Sequence, residues 1–229
     1  MKILGLIGGM SWESTVPYYR LINEAIKARL GGLHSARLVL YSVDFEEIAR
    51  LQHAGDWDAA GNVLADAAQR LERAGAEALV ICANTMHKVA PAIEAAVRMP
   101  VLHVVDAVAE DIRAAGFSKV GLLGTRFTME HPFYAERLAQ HGLQALIPEK
   151  DDRDIVHRVV YEELCLGKIV DASRDAYRRI MAKLVAQGAE AIILGCTEIS
   201  MLVGMQDASV PLFDTTAIHA RKAAEWSVT

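Results

Sequence analysis

GAEALVICANT at residues 75–85 returns as GAEAIILGCTE at residues 188–198, and the two align without a gap. In each copy a glycine leads into an apolar run, Ala78 to Cys82 or Ala191 to Gly195, that ends on small polar residues, Asn84 and Thr85 or Thr197 and Glu198. An apolar run of this length between turn residues reads as a buried strand. The stretch before each copy reads as a helix. Asp56 or Asp58 opens the first, which runs to Ala74 with Gly75 beyond; Asp171 or Ser173 opens the second, which runs to Gln187 with Gly188 beyond.

Outward from this pair the repeat continues. LGLIGGM at 4–10 matches VGLLGTR at 120–126, and each half closes on a Pro-led apolar run that reaches an aspartate, PVLHVVD at 100–106 and PLFD at 211–214. The remaining strand candidates are ARLVLYSV at 36–43 and QALIP at 144–148, with VLHVV at 101–105 and VPLF at 210–213 as the closing strands. Strands alternating with helices define an α/β fold with mainly parallel sheets. Here it is expected as two pseudo-symmetric α/β/α (Rossmann-like) halves, residues 1–98 plus 209–229 and residues 99–208. Ligands in open α/β sheets bind at the C-terminal ends of the strands, so the expected site is a cleft into which both halves point those ends. No Pro-, Gly- or Ser-rich linker separates the halves, which are expected to dock tightly.

Composition narrows the function. Hydrophobic residues are 52% and charged residues 23% of the 229, a globular balance that excludes a disordered chain. With 24 Lys and Arg against 29 Asp and Glu the net charge is −5, which supplies no bulk attraction for nucleic acid or anionic lipid. No window offers the ~20 apolar residues of a membrane helix, and MKILGLIGGM runs into Ser11, Trp12 and Glu13 without a signal-peptide pattern, so a cytoplasmic location is expected. Cys82, Cys165 and Cys196 lie far apart with no CxxC spacing, which argues for free thiols and against a disulfide framework or metal site. GLIGG lacks the full GxGxxG fingerprint, so no nicotinamide cofactor is inferred.

The repeat also places the chemistry. Residues just past the paired strands reach the cleft: Cys196, Thr197 and Glu198 from one half, and Ala83, Asn84 and Thr85 from the other. A thiol at a strand end and helix start meets unpaired N–H groups that lower its pKa from ~8.5, making Cys196 a candidate base or nucleophile. Its spacing fits equally a buried cysteine acting as a small hydrophobe.

GLIGGMSWEST at 5–15, ANTMH at 83–87, GKI at 167–169, GCTE at 195–198 and PLFDTTAIHA at 211–220, in this order over nearly the whole chain, resemble the aspartate/glutamate racemase family of cofactor-independent amino-acid racemases. MSWEST, NTMHK and EELCLG are most similar to its enterobacterial-type branch. The resemblance implies a homodimer that acts on aspartate or glutamate with no pyridoxal phosphate and no metal. It also implies two cysteines facing the substrate Cα, one removing the α-proton while the other protonates the opposite face. Cys196 fills the second family position, but Ala83 stands where the first cysteine is expected. Relatives in the branch that carry Thr there resemble racemases with a strong preference for the L-substrate. Neighbouring Cys82 is expected to point to the opposite side of the strand.

One thiol permits three outcomes: slow one-sided inversion with water as the second proton source, decarboxylation of a malonate-type acid with Cys196 protonating the product enolate, or an inactive protein that binds a small acid. Asn84, Thr85 and Thr197 are the candidate α-carboxylate ligands. Met10, after the permissive Gly8-Gly9 turn, and Thr125, the counterpart of Gly9 in the repeat, would line the site. The resemblance gives Lys168 the distal carboxylate, with Gln52 and Arg50 in support. Glu198 either orients its neighbours or caps the next helix, His87 and His219 suit structural roles on backbone carbonyls, and Cys165 is expected in the core.

Overall fold

The computed structural model describes every residue from Met1 to Thr229. The chain divides into two compact units, Met1–His103 with His219–Thr229, and Val104–Ile218.

The first unit holds β1 (Leu4–Gly8), α1 (Trp12–Leu30), β2 (Leu38–Ser42), α2 (Phe45–Ala54), α3 (Trp57–Arg73), β3 (Ala78–Ile81) and α4 (Ala90–Ala96). Its sheet is parallel in the order β2-β1-β3. The second unit holds α5 (Val104–Ala114), β4 (Lys119–Gly124), α6 (Arg126–Glu130), α7 (Pro132–Gln140), β5 (Gln144–Leu146), α8 (Lys150–Glu162), α9 (Asp171–Ala186), β6 (Ala191–Gly195), α10 (Ile199–Leu202) and β7 (Leu212–Asp214). Its sheet is parallel in the order β5-β4-β6-β7. The last helix, α11 (Thr215–Ser227), starts in the second unit and belongs to the first from His219 onward. Helices cover both faces of each sheet, the arrangement that lets an all-parallel sheet bury both sides.

The repeat is visible in the strand order, with one departure. Residues 101–105, expected as a strand, make a single parallel bridge at Val101 beside Leu79, and Val104 already opens α5. The bonding there nevertheless matches the second unit: Leu79 N donates to Pro100 O at 2.9 Å, as Ile192 N donates to Pro211 O at 2.9 Å. The closing strand β7 pairs with β6, so residues 212–214 lie in the second unit, whereas the sequence division assigned 209–229 as a block to the first half.

Strand alternation sorts the core. In the first unit Leu4, Leu6, Ala78, Val80 and Cys82 face Tyr18, Ile22 and Ile26 of α1 and Ala220, Ala223 and Ala224 of α11. Ile7, Leu79, Ile81 and Ala83 face the other way, onto Leu64, Ala67, Ala68 and Leu71 of α3. In the second unit Leu123, Ile192 and Leu194 pack on α8 and α9, and Cys196 packs against that same cluster. Cys82 and Ala83 therefore occupy opposite sides of their sheet, and Ala83 is the structural counterpart of Cys196.

Asp56 caps α3 by accepting from Ala59 N at 3.0 Å. After β1 the chain turns through Gly9 at φ 90, where an added Cβ would collide with the Val43 carbonyl oxygen. Thr15 locks this turn: its Oγ1 accepts from Gly9 N at 2.8 Å and donates to Ser11 O at 2.9 Å. The small polar residues of MSWEST thus serve their own turn. Gly9→Ala combines left-handed strain with that clash and is expected to cost about 2 kcal/mol or more, read as a lower denaturant midpoint at unchanged slope.

Candidate active site

Each unit presents one segment of the expected site just beyond one strand of its sheet, β3 in the first and β6 in the second. In the first unit β3 ends at Ile81, and Ala83, Asn84 and Thr85 follow, all buried. His87 Nδ1 donates to Ala83 O at 2.7 Å; a carbonyl only accepts, so this nitrogen carries the proton. Gln52, buried on α2, donates from Nε2 to Met86 Sδ at 3.0 Å and so supports the same turn. Met10 is buried against this core, while Arg50 is exposed.

Three imidazoles gather behind the turn. The His87 ring lies 4.5 Å from that of His103 and 5.7 Å from that of His219. His219 Nε2 donates to Leu102 O at 2.6 Å, which leaves Nδ1 to accept from Tyr18 Oη at 2.9 Å. His87 and His219 are thus bonded to backbone carbonyls, as their structural reading expects.

Cys82 is fully buried, and its burial pushes the thiol far above the usual range. It is neither aimed with Ala83 nor easily ionised. Cys82→Ala is expected to leave activity unchanged and to cost about 1 kcal/mol of stability, checked by turnover and denaturant unfolding of the same preparation.

In the second unit β6 delivers Cys196, Thr197 and Glu198. The strand can end this tightly because Gly195 has no side chain: a Cβ there would lie 2.8 Å from Leu123 O and 2.9 Å from Leu122 Cδ1. The buried Glu198 carboxylate organises the side chains around it. Its Oε2 accepts from Cys196 Sγ at 2.9 Å and from Thr197 Oγ1 at 2.6 Å, and its Oε1 accepts from Cys165 Sγ at 3.7 Å.

Cys196 was expected to be acidified by a helix start, but α10 is only four residues long and the thiol meets a carboxylate instead. Burial first, then the negative charge of Glu198 and the neighbouring Cys165, push the Cys196 thiol well above its usual range. The resting site therefore holds a protonated thiol. Of the two expectations for Glu198, the orienting role is the one its bonds support, since it caps no helix with its side chain.

Cys165 was expected as core. It packs against the α8 and α9 cluster but is partly exposed, on a short helical turn at Leu164–Leu166, with its thiol on Glu198. No pattern in the sequence signals this contact. Thr125 is buried and turned to its own helix, where its Oγ1 accepts from Thr128 N at 3.3 Å. Lys168 follows the left-handed Gly167; its amide N–H donates to Glu163 O at 2.9 Å and its side chain is exposed without an ion pair. Thr215 of the PLFDTTAIHA stretch donates to Leu194 O at 2.8 Å, and Asp214 caps α11 by accepting from Thr216 N at 2.8 Å. No helix is long and apolar enough to cross a membrane.

The two parallel α/β units are built on one repeat, and the second ends a strand on a thiol held against a carboxylate. The Asp/Glu/hydantoin racemase family model matches residues 7–223, and the chain belongs to that family. A Yersinia pestis crystal structure described as an Asp/Glu racemase is similar at 60% identity and TM-score 0.93, with both chains covered over 100% of their length. An aspartate racemase homologue from Pyrococcus horikoshii OT3 is similar at 36% identity and TM-score 0.86, again with 100% of each chain covered. Among curated proteins, the broad specificity amino-acid racemase RacX of Bacillus subtilis is 21% identical over 230 residues, 96% of this chain and 95% of its own.

Proposed function

We propose that this racemase acts on aspartate or glutamate, as a homodimer and with no cofactor, and that Cys196 is its one proton-transferring thiol. The observation that carries the reading is the Cys196–Glu198 contact at 2.9 Å. The thiol gives its proton to Glu198 Oε2 and becomes the thiolate base. The substrate Cα–H bond then breaks, the proton passes to Cys196 Sγ, and the electron pair remains on the substrate as an enediolate. Asn84 and Thr85, with the backbone N–H of Thr197, whose hydroxyl is committed to Glu198, receive the α-carboxylate and the charge growing on it. Met10, Gln52, Thr125 and Lys168 are the further candidate substrate-binding residues, with Lys168 the candidate for the distal carboxylate.

Ala83 has no proton to give to the opposite face, so inversion there draws on water and is slow compared with exchange on the Cys196 face. The test is turnover of the purified protein on L- and D-aspartate and L- and D-glutamate, with chiral analysis of the product. The expected result is conversion that favours one starting enantiomer and persists with a chelator or a carbonyl reagent present. Complete inhibition by a carbonyl reagent would sink the reading.

The protonated state of Cys196 also suits a second reaction, decarboxylation of a malonate-type acid. There the bond from Cα to a carboxyl group breaks, CO2 leaves, and the Cys196 thiol protonates the enediolate. Release of CO2 from a substituted malonate, absent with aspartate and glutamate, separates the two.

A further inference from the structure

Of the three cysteines, Cys165 is the one that neither proton transfer at Cys196 nor a fully buried core position accounts for. It comes from the turn after α8, 33 residues from Glu198 in sequence, yet its Sγ reaches Oε1 of that carboxylate at 3.7 Å. The other oxygen, Oε2, carries Cys196 at 2.9 Å and Thr197 at 2.6 Å. Both oxygens of Glu198 are therefore held on a thiol, one thiol on each. Glu198 itself is buried, whereas both cysteines are partly exposed.

We propose that Cys165 is a positioning residue of the Cys196 site, its thiol holding Glu198 Oε1 so that Oε2 stays on the Cys196 thiol. An ionised carboxylate is an acceptor only, so the Cys165, Cys196 and Thr197 contacts are hydrogen bonds donated to it. The Cys165 contact on Oε1 adds to the Thr197 bond on Oε2 in fixing the carboxylate, so its charge stays against Cys196. That arrangement favours the thiol over the thiolate and makes proton transfer from Cys196 to Oε2 the defined route to the base. With the tether cut, Oε1 loses a donor, the carboxylate is fixed less firmly, and its Oε2 and its charge are held less closely on Cys196. The Cys196 thiolate then forms more readily. The other titratable groups facing the thiols are Tyr161 of α8 and Tyr177 of α9, with Glu163 and Arg158 beside Tyr177. All four stay unchanged in the variants that test the tether.

The inference rests on Cys196 being the reacting thiol, but its test needs no substrate. Iodoacetamide alkylates thiolates, so the rate at Cys196 near neutral pH, followed by peptide mass spectrometry on the intact folded protein, reads the thiolate population. Cys165→Ala is expected to raise that rate about tenfold, the change that one pH unit of acidity produces. Cys165→Ser keeps a donor and is expected to restore the slow rate. Glu198→Gln is expected to raise the rate as well, and adding Cys165→Ala to it should change nothing further, because the tether then has no charge to hold. Should Cys165→Ala fail to fold, Cys165→Val removes the donor while filling the space.

A Cys165→Ala or Cys165→Val protein that alkylates at the wild-type rate overturns the proposal. So does a serine variant as fast as the alanine one, or effects of Cys165→Ala and Glu198→Gln that multiply. An active racemase with wild-type alkylation in Cys165→Ala removes only the positioning role. A protein with the predicted alkylation pattern but no exchange on any acidic amino acid removes only the racemase reading.

Discussion

Cys196→Ala is expected to lower α-proton exchange from the preferred enantiomer by at least about a hundredfold, the span that a positioned proton-transfer group commands. Nothing nearby replaces it. Cys165 lies on the far oxygen of Glu198, Thr197 is a hydroxyl whose own proton is committed to Oε2, and Cys82 is sealed in the other unit's core. Cys196 only flanks the α8 and α9 cluster, and the smaller alanine is expected to leave the protein folded. The check is the exchange rate beside the unfolding midpoint: lost exchange at an unchanged midpoint assigns the chemistry to Cys196, and full exchange assigns it elsewhere.

Ala83→Cys is expected to produce the opposite change. Ala83 is the counterpart of Cys196 by the aligned repeat and by strand alternation, which puts it on the α3 side of the sheet with Ile81 while Cys82 faces α1. Under the proposed mechanism a thiol at position 83 acts as the second proton source, and inversion is then expected to rise about a hundredfold or more and to run from either enantiomer. His87 already holds the carbonyl of residue 83 at 2.7 Å, so the backbone there is fixed before the thiol is added. Chiral chromatography of reactions started from each enantiomer checks this. A variant with the wild-type bias intact would show that position 83 does not serve the second face.

The fold was legible because its repeat is written twice in adjacent strands, and the same pairing led to Cys196. What stayed hidden was decided by contacts between residues remote in sequence. VLHVV at 101–105 reads as a strand by composition, yet Val104, Val105, Val108, Ala109 and Ile112 form one apolar helical face. A short β-branched run does not distinguish the two states. The acidity of Cys196 was misread for a related reason: a helix start is a local signal, but the group that reaches the thiol is the Glu198 side chain, and its orientation depends on packing. Cys165 lay further out of reach, because a cysteine in YEELCLG carries no local mark of a carboxylate 33 residues on. Alternation did predict Cys82, since the face of a strand residue is fixed by its neighbours in the chain.

Proton NMR of L- and D-aspartate and L- and D-glutamate in heavy water, with the purified protein and with Cys196→Ala in parallel, tests the central claim most directly. The predicted result is loss of the α-proton signal from one enantiomer, faster than the opposite enantiomer accumulates, and no loss with the variant. An α-proton signal that persists in all four substrates, or that disappears equally fast with Cys196→Ala, would contradict it.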